Sequence, residues 1–280
     1  MASEARSILI TGCSSGIGQV SADLLRQRGW RVFATCRKQA DCDRLSGQGF
    51  ESIRLDYEDA ASITSALDWA LEKTGGRLGA VFNNGAYAVP GAVEDVPRDA
   101  MRAIFETNFF GYHDLIRQII PVMRTQGGGR IVNCSSILGF AALPWRGPYN
   151  STKFALEGLT DTLRVELRGS GIEFILIEPG PVTTLIRQNS QQHFEKWIDR
   201  GNSYHARFYE KVLAPHLYHE NPPKVRFELP PEAVAGKLIH ALESRRPRRR
   251  YYVTTPTYIA GLAKRLLPTA WFDRLLASWG

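Results

Sequence analysis

The feature that most constrains the fold is a repeated alternation of short apolar runs with longer amphipathic stretches. Apolar runs at residues 7–11 and 31–35 are each followed by a stretch of helical periodicity, at residues 19–28 and 39–46. The same order continues with apolar runs at residues 52–55, 80–83, 130–134, 173–178 and 250–254 and helical stretches at residues 60–74, 99–125, 149–167 and 231–244. Strands this apolar suit a parallel sheet that is covered on both faces. The pattern therefore predicts a doubly wound α/β fold with about seven strands and helices on both faces.

Composition adds the class of protein and the compartment. With 280 residues, 44% hydrophobic and 22% charged, the chain resembles a soluble globular protein, and we expect a single domain over residues 1–280. No apolar run reaches the ~18 residues that a membrane-spanning helix needs, and the first residues lack the pattern of a secretory signal. The four cysteines show no metal-ligand spacing. We therefore predict a cytoplasmic protein without disulfides or a metal site.

Periodicity weakens at residues 185–230, which follow the last central strand. This segment contains helix-like pieces at residues 191–209 and is predicted to be a substrate-binding lid. Its aromatic side chains could line an apolar pocket, or they could pack the helices of the lid itself. These aromatic residues are Phe194, Trp197, Tyr204, Phe208, Tyr209 and Tyr218.

A glycine-rich turn joins the first strand to the first helix. Its glycines, Gly12, Gly16 and Gly18, allow a tight turn in which backbone amides approach a pyrophosphate at the helix N-terminus. In the first strand-to-helix turn of such a fold, this composition predicts nucleotide binding. After the second strand, the chain presents Arg37 and Lys38 where an acidic residue would suit a free ribose 2′-hydroxyl. Arg37 is the candidate for a 2′-phosphate, so NADP(H) is the predicted cofactor.

Tyr149 and Lys153 stand four residues apart in a predicted helix, so both can lie on one helix face. A cation about 4 Å from a phenol contributes about 4 kcal/mol at an effective dielectric of ~20, before desolvation and screening. Since ~1.4 kcal/mol corresponds to one pKa unit, Lys153 would bring the pKa of Tyr149 from ~10 towards neutrality. For an isolated pair, an ordinary amphipathic helix is the simpler interpretation.

The pair is not isolated, because several further motifs occur elsewhere in the chain. They are Leu-Asp at residues 55–56, Asn-Asn-Gly-Ala at 83–86, Asn108, Ser136 thirteen residues before Tyr149, and Pro-Gly-Pro-Val-Thr-Thr at 179–184. Together with the glycine turn, they resemble the short-chain dehydrogenase/reductase family over residues 7–184. The resemblance implies a Rossmann-like fold and hydride transfer between NADP(H) and a carbonyl compound or alcohol.

The resemblance also implies a role for each matching residue. Tyr149 would be the general acid, Lys153 would lower its pKa and hold the nicotinamide ribose, and Ser136 would polarise the carbonyl. Asn108 would support a proton-relay water. The expected cofactor contacts are Gly12, Ser14, Ser15, Gly16, Ile17, Gly18, Arg37, Lys38, Asp56, Asn83, Gly85, Tyr149, Lys153, Pro179, Gly180, Val182 and Thr184.

Within the family, the chain looks most like reductases of lipophilic carbonyls, such as hydroxysteroid and retinol dehydrogenases and bacterial aldehyde reductases. Look-alikes commonly associate through the fourth and fifth helices, which are predicted here at residues 99–125 and 149–167, so a homodimer or homotetramer is expected. One departure is that Gly85 and Ala86 are swapped relative to the usual Asn-Asn-Ala-Gly motif. A backbone position that requires glycine at residue 86 would be strained by Ala86.

Two basic or amphipathic stretches leave other functions open. Five arginines between residues 245 and 250 could bind nucleic acid or lipid, but a solvated turn needs fewer assumptions, and no nucleic-acid partner is predicted. Residues 256–280 form an amphipathic extension that is expected to break near Pro268 and to pack on protein, with a membrane surface as the alternative. A nucleotide-binding sensor or scaffold without turnover remains the alternative to an enzyme. Such a protein has no need for Ser136, Tyr149 and Lys153 together.

Overall fold

The computed structural model describes residues 6–219 and 225–279. Within them, seven strands form one sheet: β1 (Ser7–Ile10), β2 (Arg31–Cys36), β3 (Glu51–Arg54), β4 (Ala80–Asn83), β5 (Gly129–Cys134), β6 (Ile172–Glu178) and β7 (Arg250–Tyr252). All neighbouring strands are parallel, in the order β3-β2-β1-β4-β5-β6-β7. The predicted doubly wound α/β fold is confirmed.

Helices alternate with these strands along the chain. They are α1 (Gly16–Gln27), α2 (Gln39–Gly47), α3 (Ala60–Lys73), α4 (Arg98–Phe105), α5 (Gly111–Thr125), α6 (Gly147–Glu166), α7 (Ile186–Trp197), α8 (Ala206–Phe208), α9 (Ala214–Tyr218), α10 (Glu232–Glu243), α11 (Thr255–Leu266) and α12 (Thr269–Ala277). One face of the sheet packs against α1, α2 and α10, and the other against α3, α5 and α6. Both faces of the sheet are thus covered, as the apolar strands predict.

Strand β1 shows how alternate side chains of one strand pack on the two faces of the sheet. Successive side chains of a strand point to opposite faces. Ile8 and Ile10 join the cluster beneath α1 and α10, whereas Leu9 joins the cluster beneath α3 and α5, and all three are fully buried. Each such burial contributes about 1.5–3 kcal/mol. A central strand therefore needs apolar residues at every position, which explains the uninterrupted runs in the sequence.

The strand order predicts where a ligand would bind, at the carboxyl-terminal end of the sheet. Strand β1 pairs with β2 on one side and with β4 on the other, so the direction of winding reverses between β1 and β4. At such a switch point a crevice opens outside the carboxyl ends of the strands. The loops that follow β1, β2, β4, β5 and β6 meet at this edge, and these loops carry most of the predicted site residues.

The predicted lid contains α7, α8 and α9, and α7 begins at Ile186, earlier than the sequence pattern indicates. Helix α7 ends where Ile198 adopts an extended conformation (φ −102°, ψ 113°). A turn follows, closed by a 2.7 Å hydrogen bond from the Asn202 side chain to Asp199. Residues 220–224 of the predicted lid lie outside the described residues, as do residues 1–5 and 280.

The C-terminal extension forms α11 and α12, and the predicted break near Pro268 is confirmed. Phe272 and Leu276 of α12 pack against Phe140, which follows the Ser136 turn. Leu266 at the end of α11 and Trp271 in α12 are exposed. The extension therefore packs on its own chain and leaves part of its apolar surface exposed. None of the helices in the described part of the chain combines the length and the hydropathy that crossing a bilayer requires.

Candidate active site

The glycine turn between β1 and α1 is closely packed. Gly12 and Gly16 have positive φ angles of 70° and 55°. A Cβ on Gly18 would lie 2.2 Å from the Gly12 carbonyl oxygen, and one on Gly12 would lie 2.7 Å from the Cα of Gly85. Side chains at these positions would therefore displace backbone. The predicted requirement for glycine holds for a structural reason, the close approach of the β1 and β4 loops.

No side chain of α1 or of its N-cap residue satisfies the free amides or the positive dipole at the N-terminus of this helix. Ser15 is the N-cap residue, its side chain makes no capping hydrogen bond, and the first turn contains no acidic residue. Free amides and the helix dipole make such an end an anion-binding position. Together with Ser14 and Ile17, which flank the cap, this geometry fits the pyrophosphate of a dinucleotide.

Three cations surround the end of β2, of which the sequence indicated two. Arg37 and Lys38 are exposed directly after the strand, as predicted. Arg44 of α2 reaches back to the glycine turn, where its Nη2 donates a 2.8 Å hydrogen bond to the Ser14 carbonyl oxygen. The sequence pattern did not indicate Arg44. Its position on the second turn of the helix after the loop was the available signal.

The side chain of Asn83 is fully buried and belongs to a hydrogen-bonded chain below the crevice. Its Oδ1 accepts a 2.8 Å hydrogen bond from the Tyr57 hydroxyl, and its Nδ2 donates to Asn133 Oδ1 at 2.9 Å. The Tyr57 hydroxyl is also 2.8 Å from Thr11 Oγ1. These contacts join the ends of β1, β4 and β5, and Asn83 shapes the crevice from beneath. Asp56, at the end of β3, is partly buried, and its side chain accepts a 3.2 Å hydrogen bond from the Glu58 amide.

The swapped pair at residues 85–86 fits without strain. Among the described residues, only Trp145 and Phe227 are non-glycine residues with a positive φ, so Ala86 adopts an ordinary backbone conformation. A Cβ at Gly85 would lie 3.4 Å from the Gly12 amide nitrogen, close to ordinary contact. The backbone here therefore accepts alanine at residue 86, and the swap leaves the local geometry intact.

Lys153, Ser136 and Tyr149 meet at the end of β5. The Lys153 ammonium is buried, donates a 2.7 Å hydrogen bond to the Cys134 carbonyl oxygen and lies 5.5 Å from the centroid of the Tyr149 ring. The Ser136 hydroxyl accepts a 3.1 Å hydrogen bond from the Leu138 amide and donates one of 3.4 Å to the Pro179 carbonyl oxygen. The structure thus brings together three of the four predicted catalytic residues around the first turns of α6.

Burial dominates the electrostatics of this group. It raises the pKa of Tyr149, and hydrogen bonding with the Ser136 side chain opposes that rise. Burial lowers the pKa of Lys153 to about 8, because a desolvated ammonium is disfavoured. The pKa shift of Tyr149 is opposite in direction to the expected one, because burial outweighs the hydrogen bond with Ser136. The expected fall in the pKa of Tyr149 is not found in this structure.

Asn108, the fourth predicted catalytic residue, lies in a π-helical turn, Glu106–Phe110, that joins α4 to α5. The sequence predicted one uninterrupted helix here. The fully buried Asn108 side chain accepts a 3.1 Å hydrogen bond from the Tyr87 amide and donates one of 2.9 Å to the Tyr87 carbonyl oxygen. Its Nδ2 is also 3.3 Å from Thr152 Oγ1, next to Lys153 in α6. Asn108 thus connects the loop after β4 to the helix that carries Tyr149.

The Pro-Gly-Pro-Val-Thr-Thr motif after β6 packs against the glycine turn and against the start of α11. A Cβ on Gly16 would lie 3.4 Å from the Thr184 methyl group, so Thr184 borders the glycine turn. Gly180 faces away from it, because a Cβ there would lie 2.1 Å from the Thr254 hydroxyl. Val182 forms a β-bridge with Leu229. Thr184 therefore borders the predicted cofactor site, whereas Gly180 is needed for packing against the start of α11.

The arginine run is only partly a solvated turn. Arg250 enters a cluster of acids, where its Nη1 contacts Glu157 and lies 2.6 Å from Glu178, and its Nη2 lies 2.6 Å from Asp161. Glu157 and Glu178 are both buried. Burial, followed by the charge of Glu157, raises the pKa of Glu178 to about 8 despite Arg250. For Arg250, the predicted solvated position is wrong, because β7 carries it beneath α6.

The predicted lid is held by its own aromatic packing and also reaches the crevice. Phe194 and Tyr209 are fully buried within it, which supports the packing alternative for these two residues. His193 of α7 stacks on Tyr87 at 3.9 Å between ring centroids. Burial lowers the pKa of His193 to about 4, and the charge of Arg37 contributes in the same direction. Helix α7 therefore lies near the carboxyl-terminal end of the sheet, where Arg37 follows β2.

Known proteins are similar to this chain in sequence. The family model described as short chain dehydrogenase matches residues 6–195. "Uncharacterized oxidoreductase YbbO" of Escherichia coli (strain K12) is 39% identical over 273 residues, which cover 97% of this chain and 94% of that protein. "NADPH-dependent 3-dehydrocapnine reductase" of Ornithobacterium rhinotracheale is 30% identical over 279 residues, with 96% and 95% covered. The chain is thus similar to oxidoreductases over nearly its whole length.

The fold has a similar counterpart among solved structures. A short chain dehydrogenase/reductase from Burkholderia phymatum, solved in complex with NAD, has a TM-score of 0.75 with this structure at 25% sequence identity. The similarity covers 93% of this chain and 92% of that one. The counterpart therefore shares the Rossmann-like sheet and the helices on its two faces.

Proposed function

Because this chain belongs to the short-chain dehydrogenase/reductase family, we propose that it is an NADP(H)-dependent enzyme that interconverts a lipophilic aldehyde or ketone and the corresponding alcohol. The observation that carries the proposal is the grouping of Ser136, Tyr149 and Lys153 at the end of β5. A protein that only senses nucleotide gains nothing from this set.

Each of the three side chains has a role in the proposed reaction. Reduced NADP, when bound, supplies a hydride to the carbonyl carbon. Tyr149 donates its phenolic proton to the carbonyl oxygen, which becomes the hydroxyl of the alcohol. Ser136 donates a hydrogen bond that polarises the carbonyl, and the charge of Lys153 favours the phenolate that Tyr149 leaves behind. Asn108 connects the loop after β4 to α6 and supports reprotonation of Tyr149 through a water next to Lys153.

The residues around the crevice support NADP(H) in particular. Pyrophosphate binding is assigned to Gly12, Ser14, Ser15, Gly16, Ile17 and Gly18 at the start of α1. We assign the 2′-phosphate to Arg37 and Lys38 and add Arg44, which already borders Ser14. The relative from Ornithobacterium rhinotracheale is named as NADPH-dependent, although the Burkholderia phymatum structure contains NAD. The three cations of this chain favour the phosphorylated form.

The remaining contacts follow the order of the strands along the crevice. We assign the adenine to Asp56, the ribose to Lys153 and Tyr149, and the carboxamide to Thr184. The other proposed cofactor contacts are Asn83, Gly85, Pro179, Gly180 and Val182. For Asn83 and Gly180 only the backbone can serve, since Asn83 points into the core and Gly180 has no side chain.

Assembly and location belong to the same proposal. We expect a homodimer or homotetramer that associates through α5 and α6, with Phe110 exposed just before α5 and Val165 exposed in α6. Four buried free cysteines fit a reducing compartment, so we assign the cytoplasm. Residues 185–230 would be the substrate lid of a single domain, and residues 256–280 would be an extension that packs on protein.

The test is oxidation of NADPH, followed at 340 nm, by the purified protein with a panel of alkanals, ketosteroids and retinal. The proposal expects turnover of at least one lipophilic carbonyl, with a higher kcat/KM for NADPH than for NADH. Binding of NADPH without turnover of any compound would favour the sensor alternative. A preference for NADH would contradict the assignment of Arg37 and Lys38.

A further inference from the structure

His193, in the lid helix α7, has a buried nitrogen without a hydrogen-bond partner. Its side chain as a whole is partly buried, but its Nε2 is withdrawn from solvent. Within residues 6–219 and 225–279, no group forms a hydrogen bond with this atom. A buried polar atom left unpaired costs about 1–3 kcal/mol, so native proteins nearly always pair such atoms. The partner of Nε2 is therefore to be sought outside the described chain.

Direct contacts connect His193 to the proposed active site. Its imidazole stacks on the ring of Tyr87, with 3.9 Å between ring centroids and 14° between the planes. Tyr87 belongs to an apolar cluster, called here the Tyr87 cluster, whose members are Tyr87, Val89, Ile104, Phe105, Tyr149 and Trp197. Trp197 stands one helical turn after His193 in α7, so both residues face the same side. His193 thus lies beside an apolar surface that includes the proposed proton donor, Tyr149.

The platform on which His193 stacks is firmly held. The Tyr87 amide donates a 3.1 Å hydrogen bond to Asn108, and the Tyr87 carbonyl oxygen accepts one of 2.9 Å from the same side chain. The Tyr87 hydroxyl is engaged in a hydrogen bond with Thr107. Because these polar groups already have partners, they do not compete for a ligand. His193 Nε2 is instead an unpaired group in a fixed position, as a binding site requires.

The charge state of His193 indicates which chemical group suits it. Burial lowers its pKa to about 4, and the charges of Arg37 and Lys196 act in the same direction. The imidazole is therefore neutral at physiological pH, and its Nε2 can donate or accept one hydrogen bond. A neutral imidazole adds no charge with which to attract an anion. Its matching partner is an uncharged oxygen, such as that of a hydroxyl or a second carbonyl group.

We infer that His193 Nε2 hydrogen-bonds an uncharged oxygen of the substrate, so that the preferred substrate is a lipophilic aldehyde or ketone with a second oxygen remote from the reacting carbonyl. The inference rests on the proposed function and gives it a substrate class. The reacting carbonyl would meet Tyr149, the apolar part would cover the Tyr87 cluster, and the second oxygen would meet His193. His193 is in this case a residue that determines specificity, whereas Tyr149 and Ser136 perform the reaction.

The experiment compares octanal, decanal and dodecanal with their ω-hydroxy derivatives, each with saturating NADPH. At one or more chain lengths, the wild type should show a kcat/KM about 2- to 10-fold higher for the hydroxyaldehyde, the usual net effect of one hydrogen bond. His193→Phe keeps a flat ring on Tyr87 but removes Nε2, so it should lower this ratio to one or below. His193→Gln should keep part of the ratio, because its amide can still form a hydrogen bond. His219→Phe is the matched control, since His219 is an exposed histidine of the same lid, and should leave the ratio unchanged.

Ratios near one at every chain length in the wild type, or equal ratios in the wild type and His193→Phe, would overturn the inference and leave the proposed function standing. Weaker NADPH binding by His193→Phe with an unchanged ratio would assign Nε2 to the cofactor and would also overturn it. If the wild type reduces none of the compounds, the proposed function fails, and binding then decides on His193. Calorimetric titration with NADPH present should show that the wild type binds 1,10-decanediol more tightly than 1-decanol and that His193→Phe does not. Equal binding of the two alcohols by the wild type would overturn the inference independently of turnover.

Discussion

The Lys153 ammonium donates a 2.7 Å hydrogen bond to the carbonyl oxygen of Cys134. This contact ties α6 to the last residue of β5, two positions before Ser136, and places Tyr149 one helical turn away on the same face. The relationship explains why a spacing of four residues is useful at this point in the fold. It also makes the charge of Lys153 a property of a buried site, which can be tested through its pH dependence.

Activity should depend on the protonation of Lys153. Because burial lowers the pKa of Lys153 to about 8, its ammonium is charged below that pH and loses its charge above it. We therefore expect kcat/KM for NADPH to fall as the pH rises through about 8. Lys153→Arg should be less active but should lose this dependence, since arginine keeps its charge. A wild-type profile that stays flat to pH 10 would show that Lys153 does not titrate in this range.

Cofactor preference should depend on Arg37. Arg37→Asp removes one cation and adds a repelling charge, so kcat/KM for NADPH should fall about 10- to 100-fold relative to NADH. Arg44→Gln should shift the preference in the same direction by less. Arg77→Asp is the matched control, since Arg77 is exposed and precedes β4, at the amino-terminal end of the sheet. An unchanged preference in Arg37→Asp would refute the assignment of the 2′-phosphate.

Two glycine-to-alanine changes should have opposite effects on stability. In Gly18→Ala, the new Cβ would lie 2.2 Å from the Gly12 carbonyl oxygen, so the turn must shift. We expect a loss of about 1–3 kcal/mol in the free energy of unfolding and weaker NADPH binding. In Gly158→Ala, no atom lies within 4 Å of the new Cβ, and α6 should gain about 0.5–1 kcal/mol. Urea unfolding measures both, and equal stability of the two variants would contradict the prediction.

The buried acids around Arg250 should make stability depend on pH. Since the pKa of Glu178 is raised from 4.5 to about 8, the folded protein retains a proton between these values that the unfolded chain releases. Its contribution to stability is therefore complete below pH 4.5 and is lost as the pH rises through about 8. Glu178→Gln should remove this loss, so the variant should gain on the wild type between pH 5 and pH 8 in urea unfolding.

A control for this prediction is Glu173→Gln, which removes a more exposed acid that pairs with Arg249. Surface pairs contribute about 0–1 kcal/mol, so this variant should follow the wild-type pH dependence. If Glu178→Gln and Glu173→Gln show the same dependence, Glu178 does not hold a proton in the fold.

The fold was predictable because its strands are buried on both faces. Runs such as residues 7–10 must be apolar at every position, and the glycine turn must be free of side chains, so both leave a signal in the chain. The π-helical turn at Glu106–Phe110 leaves no such signal. It depends on hydrogen bonds of Asn108 with Tyr87 and Thr152, which are distant in sequence.

The sequence could not predict which groups the side chains of the site contact. Arg44 drew no prediction and Arg250 was predicted to lie in a solvated turn, yet they border the glycine turn and a buried pair of acids, respectively. The direction of the pKa shift of Tyr149 could not be predicted from the sequence either, because it depends on how deeply Tyr149 is buried.

Proton delivery by Tyr149 can be measured with Tyr149→Phe, NADPH and the best carbonyl substrate of the panel. We expect kcat to fall about 100- to 10,000-fold, while the Kd for NADPH stays close to that of the wild type. Tyr252→Phe, which removes another phenol from the same apolar cluster, should retain wild-type kcat. Turnover by Tyr149→Phe at the wild-type rate would show that Tyr149 is not the proton donor.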